Sequence, residues 1–331
     1  MREHSGNEAS SDPESGRADL AREIRTVLVC GYGVMGQGVA ATFAAAGFRT
    51  FILSRRADAL GNLPPGARAV SRLEQLGANV PDLAIEFAPE NLESKQAVYR
   101  ELEDAFAQAG TIIATGTSGL DLVRLANAMD RPDRFVGVHY FMPADSSRVV
   151  EIMAGPESPA SLVDLVADAV EATGKDTVRL YQPTIGYLVN RLQHALLHEA
   201  YYLIEAGVAS AADIDRAARS LLAPRMCISG IIRQKDIGGL KIHADAQRSI
   251  VPALFHNGIP NPMLQAMVAR GETGLDAGRG FYDWASAEPE RERARISHAM
   301  KALLEFLDAQ AADTESDVTK LAKRTAGPKT A

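Results

Sequence analysis

Several features that would assign this sequence to a specialised class of protein are scarce or missing. Its 331 residues include only two cysteines, Cys30 and Cys227, so no disulfide framework is possible and a reducing, cytoplasmic compartment is expected. No window reaches the roughly 18 consecutive apolar residues of a membrane-spanning helix, and residues 1–19 lack a signal-peptide apolar segment. We therefore expect a protein that is neither exported nor inserted into a membrane.

Positively charged residues are also fewer than negatively charged ones, 35 Lys and Arg against 42 Asp and Glu. The formal net charge is -7, which provides no field to attract nucleic acid or an anionic membrane, so neither is expected as a partner. Hydrophobic residues make up 46% of the chain, which is enough for a sizeable core and two domains. The composition is that of an ordinary globular protein whose partner is a small molecule.

From Arg25 to about Val150, short apolar segments alternate with helical patterns, which predicts a doubly wound α/β domain with a largely parallel sheet. A further strand is expected at Thr177–Tyr181. The other predicted strands are Thr26–Cys30, Thr50–Leu53, Asp82–Phe87, Thr111–Thr115 and Phe135–His139, and the helices between them are Met35–Ala46, Ser94–Gln108 and Leu120–Met129.

After about Pro183 the pattern becomes helical, which predicts a second, all-helical domain. Its first helix, Tyr187–Ala206, ends at Gly207. Ser210 and Asp213 predict a capping box that opens the next helix, and two more are expected at Asn261–Arg270 and Glu290–Ala309. We predict a disordered tail over 1–24, a dinucleotide-binding domain over 25–183, a helical substrate and dimerisation domain over 184–310, and a second tail over 311–331.

A glycine-rich turn joins the first strand to the first helix and has the pattern G-x-G-x-x-G. Gly31 permits the tight turn, Gly33 lets the backbone approach a pyrophosphate, and Gly36 lets the helix pack closely on the strand. The N–H groups at the start of the helix, at Val34 and Met35, face the phosphates together with the positive end of the helix dipole. The turn predicts a Rossmann dinucleotide site.

Polar residues follow most of the predicted strands, where the ligands of open parallel sheets bind. They are Ser54-Arg55-Arg56, Glu86 with Glu90-Asn91, Thr117-Ser118, and His139. At the second strand, NAD-binding domains carry an acidic residue for the ribose 2′-hydroxyl. Here Ser54, Arg55 and Arg56 suit a 2′-phosphate instead, which favours NADP over the alternative, NAD.

Several motifs together resemble the 3-hydroxyacyl-CoA dehydrogenase family in order and approximate spacing, from about Arg25 to Trp284. They are the glycine turn, Glu90-Asn91-Leu92 with Lys95, Thr117-Ser118, His139-Tyr-Phe-x-Pro143, Val150-Glu151, Gly186-Tyr-Leu-Val-Asn190-Arg191 and Gly280-Phe281-Tyr282. The resemblance implies oxidation or reduction at a substrate carbinol or carbonyl, and a homodimer. It also implies the roles of six residues: His139 as general base, Glu151 as its orienting carboxylate, Ser118 and Asn190 holding the substrate oxygen, and Glu90 and Lys95 lining the nicotinamide and substrate region.

The residues of the first predicted helix of the second domain argue against two other kinds of site, a catalytic lysine and a metal site. Hydroxy-acid dehydrogenases that resemble 6-phosphogluconate dehydrogenase use a lysine there, and this chain has none between Lys175 and Lys235. His194 and His198 have a metal-ligand spacing but no obvious further ligand, so we interpret them as surface residues and expect no metal.

The departures from the family pattern lie mostly around the substrate. Met142 stands where the family usually has asparagine, Gly116 and Gly119 replace polar residues, and Ile185 replaces a proline. The segment between Arg56 and Asp82 is also short, which argues against a long acyl-CoA substrate. A 3-hydroxy or 3-oxo acid or acyl compound is favoured. An unrelated small alcohol or aldehyde on the same scaffold stays open, as does a non-catalytic dinucleotide-binding protein.

Overall fold

The computed structural model describes residues 23–106 and 108–312. The two predicted tails, apart from two residues of each, lie outside the described residues. The chain divides into two compact units, the first ending at Gln193 and the second beginning at His194. The predicted fold class, a doubly wound α/β domain followed by a helical domain, is confirmed.

The first unit contains an eight-stranded sheet with the order β3-β2-β1-β4-β5-β6-β7-β8. All neighbouring strands are parallel except β6 and β7. The strands are β1 (Thr26–Cys30), β2 (Arg49–Leu53), β3 (Ala67–Val70), β4 (Leu83–Glu86), β5 (Ile112–Thr115), β6 (Phe135–Tyr140), β7 (Val149–Ala154) and β8 (Asp176–Leu180). The helices that cover them are α1 (Val34–Ala45), α2 (Leu92–Phe106), α3 (Leu122–Ala126) and α4 (Ala160–Glu171).

Alternating residues of the strands enter two apolar clusters, one on each face of the sheet. In β1, Val27 and Val29 belong to one cluster, while Leu28 and Cys30 belong to the other. Burial raises the pKa of the Cys30 thiol above its ordinary range, so Cys30 stays a protonated, apolar core residue. Because both faces are covered, the carboxyl edge of the parallel strands is where the first unit offers polar groups.

The strand order reverses beside β1, which lies between β2 and β4. In open α/β sheets such a switch point opens a crevice between the loops that leave the two neighbouring strands in opposite directions. The glycine turn follows β1 directly, so it lies at this point.

The second unit continues α5 (Val189–Glu205), which begins in the first unit, and is otherwise helical. Its further helices are α6 (Ala211–Ala217), α7 (Ala223–Ser229), α8 (Arg233–Gly238), α9 (Leu240–Ile250), α10 (Pro262–Ala269) and α11 (Pro289–Ala312). Ser210 caps α6, and its side chain accepts from the Asp213 N–H at 3.2 Å, as the sequence predicts. Within the described residues, no helix has the length and apolarity to span a membrane.

Candidate active site

A buried histidine and glutamate lie side by side at the carboxyl edge of β6. His139 of β6 and Glu151 of β7 are direct partners in the antiparallel register. The His139 Nδ1 atom is 2.8 Å from Glu151 Oε2, and the two side chains are 7% and 0% exposed. The ionised carboxylate can only accept, so Nδ1 carries a proton and Nε2 is the atom left to exchange a proton with a ligand.

The second oxygen of Glu151 is also satisfied. Oε1 accepts hydrogen bonds from the backbone N–H groups of Leu188 and Val189, both at 2.9 Å. These groups lie at the start of α5, where the helix dipole favours negative charge. Glu151 is therefore held at both oxygens, and it connects His139 to the first turn of α5.

Glu90 binds the loop that follows β5 through hydrogen bonds to its side chain. Its Oε1 accepts from the Thr117 hydroxyl at 2.5 Å and from the Ser118 N–H at 3.0 Å. Asn190, in the first turn of α5, donates from Nδ2 to the carbonyl oxygen of Ser118 at 3.2 Å. The structure thus brings Glu90, Ser118 and Asn190 together, and it links Asn190 to the same helix turn that binds Glu151.

Glu90 is anchored by a buried network of charged side chains, in which Lys95 lies between Glu90 and Glu86. The Lys95 ammonium, 1% exposed, lies 2.8 Å from Glu86 Oε1 and 3.3 Å from Glu90 Oε2. Glu86 Oε2 accepts from the hydroxyls of Tyr99 and Thr115, each at 3.0 Å. Burial and the charge of Glu86 raise the pKa of Tyr99, which keeps that hydroxyl protonated as a donor. Lys95 meets the candidate site through Glu90, and sequence reasoning did not identify Glu86 as its anchor.

The glycine turn has the close approaches that a dinucleotide site requires. Gly31 has a φ of +103°, and a Cβ at Gly36 would overlap the carbonyl oxygen of Gly31. A Cβ at Gly33 would meet nothing within 4 Å, and no side chain caps α1 there. The first-turn N–H groups at Val34 and Met35 therefore lack a side-chain cap beside an uncrowded turn, which fits an anionic group of a dinucleotide.

The turn after β2 carries two exposed arginines. The Ser54 hydroxyl accepts from the Arg56 N–H at 3.3 Å, which orders the turn. In the part of the chain that the structure describes, the guanidinium groups of Arg55 and Arg56 have no carboxylate partner. Both are free to bind an anion.

One departure from the family pattern has a packing reason that the sequence did not reveal. A Cβ at Gly116 would overlap the aromatic ring of Phe87, so glycine is needed to seat that ring. Phe87 also contacts Tyr140 edge-on, with ring centroids 6.5 Å apart. Met142 and Ile185, in contrast, are 72% and 59% exposed. Among the described residues, no group of three or more His, Cys, Asp or Glu side chains could hold a metal ion.

Comparison with known proteins identifies the family. The model of the 3-hydroxyacyl-CoA dehydrogenase NAD binding domain matches residues 67–183, and that of the C-terminal domain of the same family matches 186–284. Human mitochondrial hydroxyacyl-coenzyme A dehydrogenase is 30% identical over 79% of this chain and 91% of its own length. The chain belongs to the 3-hydroxyacyl-CoA dehydrogenase family. It is therefore an oxidoreductase that uses a nicotinamide dinucleotide and acts on CH–OH groups.

Two further relatives of this chain are named for different compounds. The 3-hydroxybutyryl-CoA dehydrogenase of Bradyrhizobium diazoefficiens is 31% identical over 82% of this chain and 99% of its own length. The 5-formyl-3-hydroxy-2-methylpyridine 4-carboxylate 5-dehydrogenase of Mesorhizobium japonicum is 28% identical over 85% and 99%. A crystal structure of an enzyme with this second activity, an NAD+-dependent dismutase, has a TM-score of 0.75 at 25% identity and covers 86% of this chain and 99% of its own.

Proposed function

We propose that this chain is an NADP-preferring oxidoreductase that interconverts a 3-hydroxy and a 3-oxo acid or acyl compound, with His139 as general base. The observation that carries the proposal is the buried pair of His139 and Glu151 at the edge where the glycine turn also lies. A protein that only binds a dinucleotide has no need of a base with its orienting carboxylate. Residence in the cytoplasm is part of the same proposal.

The roles of the residues follow from their atoms. A dinucleotide whose pyrophosphate is bound at Gly31, Gly33 and Gly36 would supply the acceptor or donor of a hydride through its nicotinamide. During oxidation His139 takes the substrate hydroxyl proton on Nε2, and during reduction it returns that proton to the carbonyl oxygen. Glu151 fixes the tautomer and stabilises the imidazolium that forms.

The substrate oxygen needs hydrogen-bond donors beside His139. The Ser118 hydroxyl makes only a long bond of 3.4 Å to Glu90, which a substrate oxygen can replace. Asn190 uses one N–H of its amide on the Ser118 carbonyl and keeps the other. These two donors support the role of oxygen-holding residues.

Replacing His139 with Gln tests the base. We expect kcat to fall by about 10²–10⁴-fold while NADPH affinity changes little, because the amide cannot take the proton. Glu151→Gln should also lower kcat, and the double variant should lose little beyond His139→Gln because the pair acts as a unit. Steady-state kinetics with a dinucleotide titration measures both. Near-normal kcat in His139→Gln, or additive losses in the double variant, would contradict the mechanism.

The preference for NADP rests on the turn after β2. The uncompensated guanidinium groups of Arg55 and Arg56 and the Ser54 hydroxyl suit a 2′-phosphate, whereas a carboxylate at this place would repel it. In a cell that keeps NADPH reduced, reduction is then the working direction. The ribose ends of NADP and NAD differ only in this phosphate, so the arginines are the part of the site that can distinguish them.

Titration of NADPH and NADH into the wild type and into Arg55→Ala and Arg56→Ala variants tests this preference. Each guanidinium–phosphate bond contributes about 1.5–3 kcal/mol, so the loss of one should weaken NADPH binding by about ten- to a hundredfold. NADH binding should be unchanged. Arg49→Ala removes an exposed arginine from the opposite end of β2 and serves as the matched control. Tighter NADH than NADPH binding by the wild type, or unaltered NADPH binding in both variants, would refute the preference.

A second candidate substrate class is a small aldehyde or alcohol. The coverage and TM-score of the pyridine-carboxylate aldehyde dehydrogenase favour it, as do the apolar Met142 and the Phe87–Gly116 contact in place of polar family residues. NADPH oxidation with acetoacetate, acetoacetyl-coenzyme A and an aromatic aldehyde that bears a carboxylate would separate the classes. Turnover of the aldehyde alone would favour this candidate, and NADPH binding without any turnover would favour a binding protein.

A further inference from the structure

The aromatic ring of Tyr187 covers one face of the His139 imidazole. The ring centroids are 4.8 Å apart and the planes differ by 28°, so the two rings are stacked. Tyr187 is 0% exposed, and the His139 side chain is 7% exposed. The stack therefore limits the rotation of the imidazole about its Cβ–Cγ bond at a place where little of either side chain is exposed.

The backbone of Tyr187 is in an unfavourable conformation. Its φ is +52°, and it is the one non-glycine residue with positive φ among the described residues. Glycine would adopt this conformation without a Cβ penalty, and Gly186 directly before it does so at +81°. A residue that carries a large side chain despite this cost needs that side chain for something else.

A second glycine makes room for Tyr187 on β6. Gly137 is two residues before His139, so both lie on the same face of the strand. A Cβ at Gly137 would overlap the Tyr187 hydroxyl and lie 3.1 Å from Cζ, the ring carbon that carries it. The hydroxyl itself has no hydrogen-bond partner among the described residues. The ring is thus the part of Tyr187 that makes a specific contact, and its position depends on Gly137.

The same turn holds the partner of His139. The next two backbone N–H groups, of Leu188 and Val189, donate to Glu151 Oε1 at 2.9 Å each. The Tyr187 ring therefore packs on the face of the His139 imidazole, and the backbone that follows Tyr187 binds the Glu151 carboxylate. Both members of the pair are oriented by one left-handed turn.

We propose that Tyr187 is a positioning residue for His139, acting through its stacked ring. The proposal builds on the role of His139 as general base, but the position of its imidazole can be measured without turnover. The ring holds Nε2 in one direction, and the hydroxyl contributes nothing to this.

The first test is NMR spectroscopy of protein labelled with 15N-histidine. The proton on His139 Nδ1, bonded to Glu151, should give a low-field signal that His139→Gln removes. Tyr187→Leu should raise the exchange rate of this proton with water at least about tenfold, because the ring no longer covers the imidazole. Tyr187→Phe should leave the rate unchanged. Unchanged exchange in Tyr187→Leu would overturn the proposal whatever the substrate is.

The second test measures kcat and KM with NADPH and acetoacetyl-coenzyme A as the probe. Tyr187→Leu should lower kcat at least about tenfold with NADPH KM within about twofold, while Tyr187→Phe stays near the wild type. Phe135→Leu is the matched control, since it also truncates a buried aromatic of the same core cluster without touching His139 in the stack. It should lower the thermal midpoint comparably and leave kcat unchanged.

A third variant keeps the proposal testable if Tyr187→Leu does not fold. Gly137→Ala should lower kcat at least about tenfold by displacing the tyrosine ring, and adding Tyr187→Phe should restore most of it because the overlapping hydroxyl is gone. Failure of this rescue, or equal losses in Tyr187→Phe and Tyr187→Leu, would overturn the role of the ring. If no variant and no wild type turns over the probe while the NMR results hold, the proposed substrate fails and the positioning role stands.

Discussion

In the candidate site, burial and neighbouring polar and charged groups have opposite effects on the pKa of Glu90. Burial acts to raise the pKa of its carboxyl, but the hydrogen bond from Thr117 and the ammonium of Lys95 outweigh burial and hold the pKa below its ordinary value of 4.5. The side chain is 45% exposed, so solvent screens part of this effect. Glu90 is therefore ionised over the whole neutral and mildly acidic range, and it stays an acceptor for the loop that carries Ser118.

Replacing Glu90 with Gln should make stability depend less on pH. Because the folded pKa is depressed, the contribution of Glu90 is complete above pH 4.5 and is lost as the pH falls through the folded value. Urea unfolding should show the variant less stable than the wild type at neutral pH, with the difference shrinking below pH 4.5. Glu93→Gln, which removes an exposed charge in the first turn of α2, just after Glu90, is the control. A difference that stays constant or grows in acid would contradict the pKa shift.

The sequence predicts the role of a single residue where that residue belongs to a recognisable motif. His139 and Glu151 came from the family resemblance, and the structure places them in direct contact. The stacking of Tyr187 on His139 and the ion pair of Glu86 with Lys95 were not predicted, because a stacked ring and a buried ion pair are tertiary contacts that leave no local pattern. The fit between Gly116 and Phe87 belongs to the same class, since the two residues lie on different strand ends.

At the scale of elements, the segment of β1, the glycine turn and α1 contains one glycine that is tightly packed and one that has free space around it. Gly36 is packed against backbone, with the carbonyl of Gly31 in the place of a Cβ, whereas Gly33 has an ordinary φ of -79° and open space. One glycine is therefore required by packing. The other is required only if a ligand approaches the turn.

Alanine at these two positions should separate stability from binding. Gly36→Ala should lower the free energy of unfolding by about 1–3 kcal/mol, because the helix must move away from the turn. Gly33→Ala should leave stability unchanged and weaken NADPH binding at least about tenfold, because the methyl group occupies the space of the pyrophosphate. Thermal unfolding and NADPH titration measure the two effects. Wild-type NADPH affinity in Gly33→Ala would exclude the turn as the pyrophosphate site.

Most of the predicted elements match the structure, but several elements of the structure were not predicted. The turn signals and apolar runs located six of the eight strands, whereas β3 and β7 were not predicted. In β3 one arginine and two alanines replace the usual β-branched residues, and β7 carries Glu151 in the middle of its apolar run. The helices α4, α7, α8 and α9 were also missed, although α4 buries Leu162, Val163 and Val166 against the sheet. The antiparallel pairing of β6 and β7 therefore could not be anticipated, and with it the register that joins His139 to Glu151.

At the scale of the whole molecule, the second unit has almost no interior. Among residues 194–310 only Asn261 and Met267 are buried. Large apolar side chains are instead exposed along its helices, and four isoleucines are at least 70% exposed: Ile228, Ile232, Ile237 and Ile242. Exposed apolar surface of this extent marks an interaction surface, and a second copy of this chain is the occupant that we propose.

Sedimentation at micromolar concentration should give a species of twice 35.4 kDa. Ile242→Glu should shift the equilibrium toward the monomer, because a charge then replaces apolar surface in the interface. Gln247→Glu, which adds the same charge on another face of α9, should leave the dimer intact. A wild type that sediments only at 35.4 kDa would rule the dimer out.

The antiparallel register of β6 and β7 has a consequence for redesign of this enzyme. Glu151 reaches His139 because the two residues are opposed in the register, and a shift of one residue would turn Glu151 to the other face of the sheet. Insertions inside either strand should therefore abolish activity. The connecting segment is also constrained, because Ala144 is buried in the core and Lys175 Nζ donates to the carbonyl oxygens of Asp145 and Ser147 at 3.1 and 2.6 Å. Substitutions at the exposed Met142 should leave this register intact, so every member of a library built there would keep the pairing of His139 with Glu151.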